Sequence, residues 1–188
     1  MSSAVEQAAA ALAGTVDFDI LLGGVNVRTT QPVGDYGRRY LMHVWREVRD
    51  TTGQPFAFVV PDGLVYNSTV PCLAVAAVRR ALGRPPFGYL HRLQQLLFVE
   101  ARDINDAELL CAAATEFGVA TDVVRQGLED PALRDGVSAE FAGSRCYGTN
   151  ALPSVLVERD GERALLAGGY ADGPMLEALV RAQLPGAG

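Results

Sequence analysis

The stretch Ala151-Leu-Pro-Ser154-Val-Leu-Val-Glu158-Arg-Asp-Gly161-Glu-Arg-Ala164-Leu-Leu-Ala167 decides the fold. Ser154 to Glu158 reads as a strand, Arg159-Asp160-Gly161 as a tight turn, and Ala164 to Ala167 as the returning strand. Asp-Gly between two apolar runs is a strong hairpin signal, because both residues tolerate the left-handed backbone that a two-residue turn requires. Gly173-Pro174 then opens a last helix to about Leu184, since proline suits the first helical turn. Pro-Gly-Ala-Gly closes the chain as a tail.

Upstream the texture is helical. Val5 to Ala13 reads as a short alanine-rich helix stopped by Gly14. Val16, Phe18, Ile20 and Leu22 then alternate with Asp17 and Asp19, a period of two that predicts a strand ending at Gly23-Gly24. No helix follows that glycine pair, so it reads as a turn rather than a dinucleotide fingerprint. Helical spacing predicts an α-helix from Asp35 to about Thr52, carrying Tyr40, Leu41, Val44, Trp45 and Val48. A second should start near Ser68 or Thr69, with Pro71 in its first turn, and reach Gly83; Phe87 to Ala101 is a third. Asn105-Asp-Ala-Glu108 has the spacing of a capping box, and Thr121 and Pro131 introduce two more short helices, the latter ending near Cys146.

Composition narrows the chemistry. At 188 residues, 49% hydrophobic and 20% charged, the chain is a globular protein long enough for a real core. All 16 basic residues are arginine, and 22 acids give a net charge of −6. Without lysine there is no Schiff base, P-loop or Ser-Lys dyad. The acidic balance argues against nucleic-acid or anionic-membrane partners. No apolar run approaches the roughly 18 residues that span a bilayer. The N-terminus has Glu6 where a signal peptide carries positive charge, so it reads as a mature helix, and a cytoplasmic location is expected. His43 and His91, the two histidines, have no ligand at metal-binding spacing, so neither a metal nor a cofactor is expected. Arg79-Arg80 with Arg84 reads as a solvated helix end, and Asn67-Ser-Thr as a helix start rather than a glycosylation site.

A helix, a strand, a block of helices, then a hairpin and a helix match the two halves of a thioredoxin-type unit around an insert. Several segments carry a closer likeness: Gly23-Gly24-Val25-Asn26, Thr52-Gly-Gln-Pro-Phe56, and Asn67-Ser-Thr-Val-Pro-Cys-Leu-Ala74. Leu93-Gln-Gln-Leu-Leu-Phe98 with Arg102-Asp-Ile-Asn-Asp106, and Ala151-Leu-Pro-Ser-Val-Leu-Val157, complete the set. In order and spacing the chain resembles the DsbA-like thioredoxin-fold proteins, specifically their FrnE-like branch, over roughly Val16 to Val180. The resemblance implies an α/β fold, a thioredoxin-like sheet with an inserted all-helical bundle. Residues 1–30 and 147–185 would form the thioredoxin-like part and 31–146 the insertion, in a single compact unit.

The resemblance also implies two chemical parts. One is a cis proline in a loop that holds substrate backbone, matched by Pro153 within a substrate-binding loop of Thr149, Asn150, Ala151, Leu152 and Pro153. The other is a Cys-x-x-Cys at the start of the first helix, where the dipole favours an attacking thiolate. The chain contains no Cys-x-x-Cys. By alignment the motif and its preceding strand would fall just before Met1, so either the sequence starts late or the member is degenerate. In the second case a partner chain, such as another copy, would cover the open sheet edge.

The three cysteines are candidates of unequal weight. Cys72, after Pro71 at a predicted helix start, is the weak catalytic candidate as a substitute reactive thiol; the plainer reading is core packing among Leu73, Val75 and Ala76. Cys111 in Leu109-Leu-Cys-Ala-Ala reads as core, and Cys146 precedes the proline loop without a neighbouring thiol in sequence. Three functions follow from the resemblance. The first is a thiol–disulfide oxidoreductase or isomerase of that family, acting on a protein or peptide and inactive in this chain for want of its dithiol. The second is a redox-inactive module binding a peptide or partner through the same groove. The third is a kappa-type glutathione-dependent isomerase, with Ser2 or Ser3 in place of the first cysteine.

Overall fold

The computed structural model describes residues 2–147 and 151–184. It separates into two compact units, Met1–Gly23 with Ala139–Gly188, and Gly24–Ser138. The helices are α1 (Ser2–Ala11), α2 (Asp35–Thr52), α3 (Thr69–Leu82), α4 (Phe87–Phe98), α5 (Ala107–Thr115), α6 (Thr121–Glu129), α7 (Pro131–Gly143) and α8 (Gly173–Arg181). A 3-10 turn covers Ser144–Tyr147, and the described strands are β1 (Ser154–Arg159) and β2 (Glu162–Gly168).

In the first unit, β1 and β2 form an antiparallel hairpin with Arg159 opposite Glu162. Asp160 (φ 55°) and Gly161 (φ 80°) make the turn, both left-handed as a two-residue hairpin of the favoured twist requires. The register shifts between Val155 and Leu156, where β2 carries one extra residue, so the pair is bulged. A lone hairpin is marginal in water. This one is covered through a cluster of Ala4, Ala8, Ala171 and Leu176, with Val5, Phe18 and Val155 packed against it. The small side chains of α1 let α8 approach closely: a Cβ on Gly173 would lie 3.6 Å from the Ala4 carbonyl oxygen. Asp172 caps α8, its carboxylate accepting the Met175 N–H at 2.8 Å.

The strand expected at Val16–Leu22 is absent from the described sheet. Its faces survive, since Phe18 packs on the hairpin cluster while Asp17 and Asp19 are exposed. Among the described residues it enters no ladder. The Leu22 N–H donates to the Glu140 carboxylate at 3.0 Å, and the Ile20 N–H to Asp19 Oδ1 at 2.7 Å. Alternating side chains give a strand its faces, but only a neighbouring strand makes it a strand.

The second unit is built around α3, whose consecutive residues Leu73 to Val78 are all buried, so every face of the helix is covered. Tyr89 of α4 is fully buried and its hydroxyl donates to the Leu110 carbonyl at 3.0 Å. Burial holds that phenol above its ordinary pKa. A second cluster gathers Leu41, Trp45, Val60, Leu64 and Leu97, with Phe56, Phe58, Tyr66 and Phe98 around it. Trp45 meets Phe98 edge-on at 5.4 Å between centroids, and its indole N–H donates to the Tyr66 hydroxyl.

Several helix boundaries differ from the sequence expectation: α1 covers Ser2–Ala11 rather than Val5 to Ala13, and α8 ends at Arg181 rather than near Leu184. The third helix stops at Phe98 rather than Ala101, and Ala101 is left-handed at φ 52°. The cap of α5 is Asp106, which accepts the N–H groups of Glu108 and Leu109, and not Asn105. Asn105 instead donates to the Val65 carbonyl at 2.9 Å, so a distant backbone oxygen outcompetes the local box.

Two helices of the second unit meet closely at Gly127 of α6, where a Cβ would sit 2.5 Å from the Cβ of Ala77. Gly127→Ala should therefore cost about 1–3 kcal/mol in urea unfolding. The double variant G127A/A77G should be less destabilised than the sum of the two single changes, whereas simple additivity would show that the two helices do not touch there.

Candidate functional site

Ala151, Leu152 and Pro153 are exposed and lead directly into β1. Thr149 and Asn150, the other residues expected in this loop, lie outside the described residues. The Leu152–Pro153 peptide bond is cis. Each described loop residue is held by something distinct. The Ser154 hydroxyl donates to the Ala151 carbonyl at 2.6 Å. The Gly169 N–H, just past β2, donates to the Pro153 carbonyl at 2.9 Å. Leu152 lies against Gly23, its Cδ2 2.8 Å from where a Cβ on that glycine would be.

The chain entering the loop is tied to the same hairpin. Arg163 of β2 pairs with the Glu158 carboxylate and with the Tyr147 hydroxyl, which raises the guanidinium above its ordinary pKa. The loop is thus framed by the 3-10 turn, the start of β1 and the end of β2. The backbone leading to Gly23 is fixed through the Leu22–Glu140 bond. A nucleophile is not among the described loop residues.

The thiols are spread through different surroundings, and none is in a disulfide. Cys72 is the fourth residue of α3, and its N–H already donates to the Ser68 carbonyl at 2.9 Å. It therefore stands one turn inside the helix, past the first unpaired amides that stabilise a thiolate most directly. Its side chain is half-buried. Cys111 is buried on α5, and burial pushes its thiol up from the ordinary value. Cys146 is exposed, with its Sγ 3.7 Å from the Ala142 carbonyl, to which it donates. No group of three His, Cys, Asp or Glu among the described residues is placed to hold a metal ion. No described helix is long and apolar enough to cross a membrane.

Reading the sequence alone located the proline loop but missed its supports. Glu140 is 118 residues from Leu22, so no local pattern connects them. Gly169 looks like an ordinary residue after a strand, and Gly23 like half of a turn. The only sequence signal was the glycine pair itself.

Labelling with a disulfide reagent at neutral pH should show one fast thiol, Cys146, and Cys111 only as the protein unfolds. Cys146→Ser should remove the fast phase, and its persistence in that variant would assign it to Cys72 instead.

No protein-family model matches the chain. Among curated proteins, it is 21% identical over 128 residues to the ClpXP adapter protein SpxH of Halalkalibacterium halodurans, covering 68% of this chain and 42% of that protein. The chain thus spans less than half the length of that relative. Among solved structures, a Nitrosomonas europaea protein with a provisional assignment as a protein disulfide isomerase superposes with a TM-score of 0.88 at 23% identity. That likeness covers 100% of this chain and 91% of the other, and establishes the fold. The cytosolic disulfide reductase DsbM of Pseudomonas aeruginosa gives a TM-score of 0.70 at 28% identity, covering 88% of this chain and 81% of that one. DsbM with GSH matches equally. The chain thus has the fold of these solved structures, a DsbA-like thioredoxin fold.

Proposed function

We propose that the 188-residue chain is the ligand-holding body of a thiol–disulfide oxidoreductase or isomerase, of the FrnE-like kind, and that by itself it turns over no disulfide. The observation that carries this reading is the exposed Ala151-Leu152-Pro153 loop, braced from both strands in a fold shared with a disulfide reductase. Exchange needs an attacking thiolate and a second thiol to resolve the mixed disulfide. No pair of cysteines in this chain has the Cys-x-x-Cys spacing that supplies both. The ligand is a cysteine-containing peptide, laid along the loop as a short extended strand. Glutathione is a small peptide of this kind, and a structure of DsbM holds GSH. The cytosolic setting of that neighbour supports a cytoplasmic location for this chain.

A second reading is a redox-inactive module that binds a partner protein. It is favoured by one finding, that the curated relative is an adapter protein.

An insulin-reduction assay on the 188-residue chain should show no turnover above the reductant alone. Robust turnover that disappears in Cys72→Ala would overturn the inactive reading. Titration with reduced glutathione, followed by the backbone amide resonances of Ala151, Ser154 and Gly169, should move those signals in a saturable way. Unmoved signals would favour the partner-binding module.

A further inference from the structure

We propose that Gly23 is a positioning residue for the proline loop: its bare Cα face is the seat of the Leu152 side chain. The proposal deepens the ligand-holding reading above and rests on it for the consequence in binding, though not for the contact itself. Adjacent glycines usually mark a turn, and Gly24 is left-handed at φ 65°, so its backbone explains it. Gly23 is not among the left-handed glycines. An L-residue could adopt its backbone, so conformational freedom is not why glycine stands there.

What Gly23 has is a neighbour. A Cβ at this position would lie 2.8, 3.2 and 3.6 Å from Leu152 Cδ2, Cδ1 and Cγ, so the whole isobutyl end occupies the space that any other side chain would fill. Leu152 is nonetheless 53% exposed. One side of it rests on Gly23 and the other faces solvent beside Pro153. The seat is itself fixed, because the preceding Leu22 N–H is bound to the Glu140 carboxylate at 3.0 Å. Pro153 is fixed independently through the Gly169 N–H at 2.9 Å. The solvent face of Leu152 is therefore presented at a set place next to the bond a ligand would lie along, and Gly23 sets that place. A methyl group at position 23 displaces the leucine and moves the apolar wall of the loop.

The test uses three variants of the full chain: Gly23→Ala, Leu152→Ala and the two together. In the ligand-free protein, Gly23→Ala should shift the amide resonances of Ala151, Leu152 and Ser154, and it should weaken glutathione binding roughly tenfold. In the Leu152→Ala background the same change at position 23 should be nearly silent in both measurements, since the displaced side chain is gone. Equal effects of Gly23→Ala with and without Leu152, or no effect at all, would overturn the proposal. If Gly23→Ala alone fails to fold, recovery of folding in the double variant supports the contact, and failure of both refutes it. Should the wild-type chain bind no glutathione, the ligand-holding reading fails, while the ligand-free resonances still decide the role of Gly23.

Discussion

A hairpin of two strands does not stand in water unless something apolar lies against it, and this constraint organises the first unit. Val155 supplies the contact from β1, Phe18 from the extended segment, and Ala4, Ala8 and Leu176 from the two helices. Full burial of Leu176 alone is worth about 1.5–3 kcal/mol. The alanines contribute less area, but their smallness is what allows α1 and α8 to meet. Because β1 is held in this way, the residues leading into it are held too, and the Ala151-Leu152-Pro153 loop inherits a rigid base.

The second unit solves a different problem. A helix buried on all sides must avoid polar residues through its middle, and Leu73-Ala-Val-Ala-Ala-Val78 does so. The polar connections are kept to its start. Asn67 donates to the carbonyls of Val27 and Thr29 and accepts the Thr69 N–H. The Ser68 hydroxyl accepts the Val25 N–H at 2.6 Å. Two side chains thus satisfy a loop that has no secondary structure of its own. The same residues explain why Asn67-Ser-Thr behaves as a helix entry.

How far the sequence could be read depends on how local the deciding interaction is. The Asp35–Thr52 and Thr69–Leu82 helices were legible because their apolar spacing and their terminal residues act within a turn or two. The hairpin was legible because Asp160-Gly161 has few other uses. Asn105 was misread as a cap because its partner, Val65, is 40 residues away. Val16–Leu22 has the alternation of a strand but lies outside the described sheet, because alternation reports two faces and says nothing of a neighbour. In the candidate site, Pro153 was legible by resemblance, whereas the Glu140 carboxylate accepts from a backbone N–H 118 residues away and Gly169 acts through its own backbone N–H, so neither leaves a local pattern in the sequence.

The three thiols differ in how far each meets the needs of a nucleophile. A nucleophilic thiol needs exposure, a field that favours the anion, and a second thiol to resolve the product. Cys111 has the wrong field, since its burial favours the protonated form. Cys72 is near a helix start, but its own amide is already spent on Ser68 and its side chain is half-covered. Cys146 is exposed, but no cysteine at Cys-x-x-Cys spacing accompanies it to resolve a mixed disulfide. Each cysteine meets one or none of the three requirements. What the described residues around Pro153 do show is a braced loop, an exposed Leu152 beside it, and a glycine that leaves room for that side chain.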